Sequence, residues 1–286
     1  MSKPKQKMYP RFRVMARIEH IILLTSFTVL AITGLPQKYA TASFSQSMIS
    51  FMGGISQVRV IHRYAAFLLV LGSVYHLFTI GFRWYVKGER MRILPELQDG
   101  RDIIDMLRYN LGLIQHHPKM PKFNFGEKIE YWAVIWGTAI MVITGFMLWN
   151  PIAITSYLPG QIIPAAKTAH GGEALLAVLS IVIWHFYNVL IKTRNFSMFT
   201  GNLPHDQMEE EHALELERLE AGGEPFPGLH LRAEKTRKRI YFFVTVGAGI
   251  LIFVVLVWLF TFEETAITTL PAVTREVFVP LATAVP

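Results

Sequence analysis

Five histidines, His20, His62, His76, His170 and His185, lie inside or at the edge of long apolar stretches. His170 and His185 are fifteen residues apart. In an α-helix that interval rises about 22 Å and brings the second imidazole back to within roughly 60° of the first. His62 and His76 repeat the arrangement at fourteen residues. Two helices that each carry one imidazole high and one low can hold two metal centres stacked across a bilayer. Ionisable side chains inside a span are costly and usually functional. Neutral imidazole is a good iron ligand, so the expected chemistry is two haem b groups with paired histidines. The competing reading is a haem-free transporter or membrane anchor that uses the histidines as a proton relay.

Composition narrows the choice. The 286 residues are 52% hydrophobic and 17% charged, with a mean hydropathy of +0.34. That is too apolar for an ordinary soluble domain. The chain has no cysteine, which excludes disulfides, thiolate-bound iron–sulfur clusters and covalently attached haem. A net charge of +7 might suggest nucleic acid, but the cations follow the loops between apolar runs and form no single patch. No nucleic-acid partner is expected.

The elements that must position the histidines are five predicted spans: Ile18 to Pro36, Val58 to Phe82, Ile129 to Trp149, Ala169 to Ile191 and Ile240 to Phe262. The first is read as a retained span, not a cleaved signal peptide ahead of Ala40-Thr41-Ala42. Arg101 to Ile114 has helical spacing and is expected to lie on the membrane interface. Met208 to Leu219 is an acidic helical run. The N-terminal segment carries six Lys or Arg, the second long loop nine and the loop before the fifth span eight, while the two intervening loops carry one each. By the positive-inside rule the N-terminus is cytoplasmic and the C-terminus outside, in an inner-membrane, multi-pass protein. His62 and His170 then lie near the outer face, and His20, His76 and His185 near the inner face.

A faint internal repeat runs through the first four spans. Arg17-Ile18-Glu19-His20 resembles Lys128-Ile129-Glu130-Tyr131, and Ile32-Thr33-Gly34 recurs as Ile143-Thr144-Gly145. The fifth span lies outside it. Small residues, Ala65, Ala66, Gly72 and Ser73 on one helix and Gly171, Gly172, Ala174, Ala177 and Ser180 on another, leave room for a flat group. Haem propionates need cations at the membrane edge: Arg59, Arg63 and Lys167 outside, Arg13, Arg17 and Lys192 inside. His116, His117, His205, His212 and His230 fall in polar segments and are expected to be solvated.

The chain resembles the di-haem cytochrome b subunits of membrane formate dehydrogenases, with those of hydrogenases and thiosulfate reductases, and the cytochromes b found beside multihaem cytochromes c. The likeness is carried by Arg17 to His20, His62, Phe123-Asn124-Phe125-Gly126-Glu127-Lys128, Thr144 to Pro151, His170 and His185, and by Trp184 to Tyr187. It implies an outer haem on His62 and His170, an inner haem on His20 and His185, and a quinone or menaquinone site at Asn124 and Gly126. The repeat instead pairs His76 with His185; His20 is preferred because Arg-x-x-His matches in position and type, and His76 is then expected to be a quinone-site residue or a support behind a ligand. The resemblance also implies an iron–sulfur or multihaem cytochrome c partner at the outer face. The expected architecture is all-α and integral to the membrane: a four-helix haem-binding bundle over 1–195, a cytoplasmic polar linker with an acidic helix over 196–239, and a fifth transmembrane helix with an outer tail over 240–286.

Overall fold

The computed structural model describes residues 6–228 and 234–261. In chain order they form strand β1 (Met8–Pro10), helices α1 (Val14–Lys38), α2 (Ser43–Phe51), α3 (Ile55–Gly81), α4 (Leu97–Asn110), α5 (Phe125–Trp149), α6 (Pro151–Thr155), α7 (Ile162–Leu179) and α8 (Ser197–Thr200), strand β2 (Asn202–Pro204), and helices α9 (His205–Glu211), α10 (Ala213–Glu220) and α11 (Glu234–Thr261). The expected tail after Phe262 and His230 lie outside the described residues.

The protein is an all-α, multi-pass membrane protein, with five helices long and apolar enough to cross a bilayer. Most of them overrun the apolar runs, farthest at the start of the fourth, which begins at Ile162 and not at Ala169. Two helical hairpins make the bundle: α1 packs along α3 and α5 along α7, and α1 meets α7 across the middle. The turn into α3 uses Gly53 and Gly54 at φ 88° and 93°, a region that other residues enter only with strain. Helix α5 starts at a reciprocal cap. The Asn124 side chain accepts the Glu127 amide at 2.9 Å, and the Glu127 carboxylate accepts the Asn124 amide at 3.0 Å.

The fourth span is not a uniform α-helix. After Leu179 it continues as π turns over Ser180–His185 and Tyr187–Lys192. A π turn closes over one residue more than an α turn. The extra residue in the His170–His185 interval is absorbed there, so fifteen residues do the rotation that fourteen do between His62 and His76. Helix α3 likewise ends in a π turn, Phe82–Val86.

The middle of the bundle is a cavity of about 2960 Å³ lined from α1, α3, α5 and the fourth span, and by Leu256 and Leu259 of α11. The buried apolar cluster lies elsewhere, at the end of the bundle where α1 begins: Tyr9, Leu203, Met208 and Leu216. Strands β1 and β2 pair antiparallel there, Tyr9 opposite Leu203. Residues 197–220, expected to be a polar linker, are thus folded against the N-terminal segment. The acidic run is two helices that break at His212. That histidine is fully buried, not solvated. Its Nδ1 bonds the Pro121 carbonyl at 3.1 Å, and its Nε2 lies 3.9 Å from Glu127. Burial, with Arg11 beside it, pulls its imidazole down to about 4. His116 is exposed, whereas His117 packs edge-on against Tyr109 and His205 lies against Tyr9.

Helix α4 begins four residues before its expected start, at Leu97. The Asp99 carboxylate accepts the Glu96 amide at 2.6 Å and holds Lys128 of α5 at 2.7 Å. Its Leu97, Ile103, Ile104 and Leu107 are exposed, as an interfacial helix requires. Helix α11 lies against the C-terminal end of α3, where the Tyr241 hydroxyl donates to the Phe78 carbonyl at 2.6 Å.

Candidate cofactor site

Toward the ends joined by α2 and α6, His62 of α3 and His170 of α7 face each other with ring centres 6.4 Å apart. Each is held the same way. The Thr33 hydroxyl donates to the Val29 carbonyl at 2.7 Å, so its oxygen is left to accept the Nδ1–H of His62 at 2.8 Å. The Thr144 hydroxyl donates to the Ile140 carbonyl at 2.6 Å and accepts from His170 at 2.9 Å. Both imidazoles therefore keep the Nε2 lone pair for a ligand, as metal-binding histidines do when the other nitrogen is hydrogen-bonded. The next residue completes the cradle: a Cβ on Gly34 would stand 3.1 Å from His62 Cε1, and one on Gly145 3.3 Å from His170 Cε1. The Ile-Thr-Gly repeat is thus two copies of one histidine support. Sequence reasoning found the repeat but not its purpose.

At the other end, His20 of α1 and His185 of the π turn face each other at 6.5 Å. His185 Nδ1 bonds the Glu130 carboxylate at 2.9 Å. Among the described residues, His20 Nδ1 is buried without a hydrogen-bond partner. His76 is engaged differently. Its Nδ1 bonds Glu19 at 2.7 Å and its Nε2 the Tyr131 hydroxyl at 3.0 Å. The structure brings His20, not His76, opposite His185.

Asn124 and Gly126 line the cavity. The Asn124 oxygen is used in capping α5, which leaves its NH2 group as the available donor. The loop before it is held by Arg11, whose guanidinium forks onto Glu127 at 2.8 and 3.0 Å and also bonds the Lys122 carbonyl. Arg59 and Arg63 line the cavity at its His62–His170 end, Arg63 over the Trp149 ring at 4.3 Å. Lys167 lines it too, as does Lys38, a cation the sequence did not single out: a Cβ on Gly171 would stand 2.9 Å from its Nζ. Arg13 and Lys192 line it at the His20–His185 end. Arg17 does not line the cavity, and its guanidinium bonds the Phe199 carbonyl.

The residues fit axially ligated iron. A metal–imidazole bond of about 2 Å, with about 1 Å more from nitrogen to ring centre, sets two axial rings roughly 6 Å apart. Both pairs stand at that spacing. The donors are imidazole nitrogens, and all four rings line the one cavity.

Five spans around a histidine-lined cavity define a membrane protein that holds a redox group between helices. The family model described as prokaryotic cytochrome b561 matches residues 11–201, and the chain belongs to that family. It is similar to the cytochrome b556(Fdn) subunit of the nitrate-inducible formate dehydrogenase of Escherichia coli (strain K12), 19% identical over 228 residues that cover 79% of this chain and 99% of that one. It is also similar to the formate dehydrogenase cytochrome b556 subunit of Haemophilus influenzae, at 21% over 180 residues covering 62% and 68%. The cytochrome b556(fdo) subunit of Escherichia coli formate dehydrogenase matches at 22% over 191 residues, covering 63% and 78%. The protein is a membrane cytochrome b of electron transport, and its cofactor is haem b. Family membership sets aside the haem-free alternative.

Proposed function

We propose that the chain is the di-haem subunit of a respiratory redox complex of the formate dehydrogenase kind. It exchanges electrons between a quinone at its inner end and an iron–sulfur or multihaem cytochrome c partner at its outer face. The observation that carries this is the pair of facing imidazole couples, at 6.4 and 6.5 Å, one toward each end of the bundle. His62 and His170 would hold the outer haem, His20 and His185 the inner one. Haem b supplies a one-electron iron centre at each position.

The chain's own residues position and insulate. Thr33, Thr144 and Glu130 accept the Nδ1–H of His62, His170 and His185 and so turn each Nε2 inward. Arg59, Arg63, Lys38 and Lys167 would meet the outer propionates, and Arg13 and Lys192 the inner ones. Arg17 is spoken for by the Phe199 carbonyl. The Asn124 NH2 group donates to a quinone oxygen, and Gly126 leaves room for the ring beside Asn124 and Trp184. The loop cations support an inner-membrane topology with the N-terminus in the cytoplasm.

Acid–acetone extraction should yield two haems b per chain. His185→Ala should remove one and spare the other, since His62 and His170 lie about 20 Å along the helices. His76→Ala should keep two low-spin haems. Loss of a haem in His76→Ala, with two retained in His20→Ala, would overturn the assignment.

A further inference from the structure

We infer that Glu19, His76 and Tyr131 form a second recognition point of the inner cavity, accepting a hydrogen bond from one hydroxyl of a quinol head; this rests on the quinone reading above. The internal repeat carries the argument. Offsets of 111 and 109 residues relate Glu19 to Glu130, His20 to Tyr131, and His76 to His185. The contacts repeat with the residues: Glu19 Oε2 lies 2.7 Å from His76 Nδ1, and Glu130 Oε2 lies 2.9 Å from His185 Nδ1. The protein therefore holds two copies of a carboxylate-anchored imidazole at its inner level. Only the residue opposite differs. His185 faces an imidazole, which suits iron. His76 faces a phenol, with ring centres 5.8 Å apart and Nε2 3.0 Å from the hydroxyl.

The second copy is ordered but cannot offer two nitrogen ligands. Glu19 takes a further hydrogen bond from the Thr79 hydroxyl at 2.5 Å. Buried polar groups satisfied to this degree hold their outermost member in one place. That member is the Tyr131 hydroxyl, and Glu19, His76 and Tyr131 line the same cavity as Asn124, Gly126 and His185. Tyr131 stands seven residues after Asn124, two turns along the same face of α5 and about 10 Å away. A quinone head asks for two partners on that scale: a ring about 5 Å between its oxygens, with a hydrogen bond of about 2.8 Å at each end. Glu19 takes the His76 Nδ1–H, so Nε2 takes the Tyr131 hydroxyl proton, and the phenol oxygen is left to accept from the O–H of a quinol. Asn124 then takes one oxygen and Tyr131 the other, with His76 and Glu19 orienting Tyr131.

The test uses the full-length protein in native membranes, with menadiol as reductant and haem absorbance as readout. Tyr131→Phe removes one oxygen and keeps the ring. It should raise KM for menadiol about three- to tenfold, the effect of one hydrogen bond, with kcat within twofold and both haem spectra unchanged. His76→Ala should raise KM to a similar degree, and the double variant should be no worse than either single one, because they act on one contact. His76→Gln, whose amide can still bond the phenol, should recover part of the loss. An unchanged KM in Tyr131→Phe overturns the inference. So does a fall in kcat or haem content at constant KM, which would mark a structural cluster. If menadiol fails to reduce the wild-type haems at all, the quinone reading falls, and this inference with it.

Discussion

The two threonines of the repeat allow a worked test of how the proposed outer haem, on His62 and His170, is held. Thr33→Val and Thr144→Val keep the shape of the side chain and its β-branching, but remove the oxygen that accepts from His62 at 2.8 Å and from His170 at 2.9 Å. The imidazole N–H is left without a partner inside the bundle, at a cost of about 1–3 kcal/mol. Supports of this type change metal affinity about 10- to 100-fold. The hydrogen bond also makes the imidazole a stronger donor, which favours ferric iron. If about 0.5–1 kcal/mol of it is specific to the ferric state, its loss raises the outer midpoint potential by roughly 20–40 mV, at 59 mV per tenfold for one electron. An optical redox titration of both haems should show this rise in either variant and a larger one in the pair. The inner haem should not move, because its histidines are held by neither threonine. Gly145→Ala tests the same cradle sterically: its methyl would stand 3.3 Å from His170 Cε1, so the ring must give by a few tenths of an ångström and the outer spectrum should broaden or shift. Unchanged outer potential in both valine variants, or a shift confined to the inner haem, would refute the reasoning.

Asn124→Ala should slow electron exchange with quinol and also lose the cap of α5, at about 1 kcal/mol. Asn124→Asp keeps an acceptor for the Glu127 amide but lacks the NH2 donor, so it should slow exchange with the helix intact; wild-type rates in Asn124→Asp would place the quinone elsewhere. For His212, the folded imidazole at about 4 lies below its ordinary 6.5. The unfolded state therefore binds more protons between those values, and stability is full above about pH 6.5 and falls by roughly 3 kcal/mol as the pH drops toward 4. Thermal unfolding of wild type against His212→Asn across that window should show the slope only in the wild type, and parallel curves would remove His212 as its source. A cysteine placed by Gln98→Cys, at an exposed position on α4, should react in intact cells with a permeant thiol reagent alone; labelling by an impermeant one would invert the topology.

Much of the architecture was legible because it depends on one-dimensional quantities. Span length, apolar content and helical period place α1, α3, α5, α7 and α11, and the same period puts His62 above His76 and His170 above His185. The repeat at offsets of 108 to 111 was legible as well. What could not be read was which atom meets which. Periodicity tells which face a residue occupies, not what comes from another helix to oppose it. His76 and His20 carry the same ring at the same depth. Only the approach of α5 gives His76 a phenol, and only the approach of α7 gives His20 an imidazole. The π turn at Ser180–His185 shows no sequence signal of its own, since one extra residue in an apolar run looks like any other. The inner cap was misread for a related reason. Strands Met8–Pro10 and Asn202–Pro204 are each too short to show a period, and they exist because two segments far apart in sequence meet and pair at one end of the bundle. His212 looked solvated among its acidic neighbours. Its burial follows from the fold, which brings the Pro121 carbonyl, Glu127 and Arg11 around it from two other segments. Local pattern determines where a helix lies and which side it shows; hydrogen-bond partners, ring spacing and burial are sums over distant chain segments, and only the packed structure performs that sum.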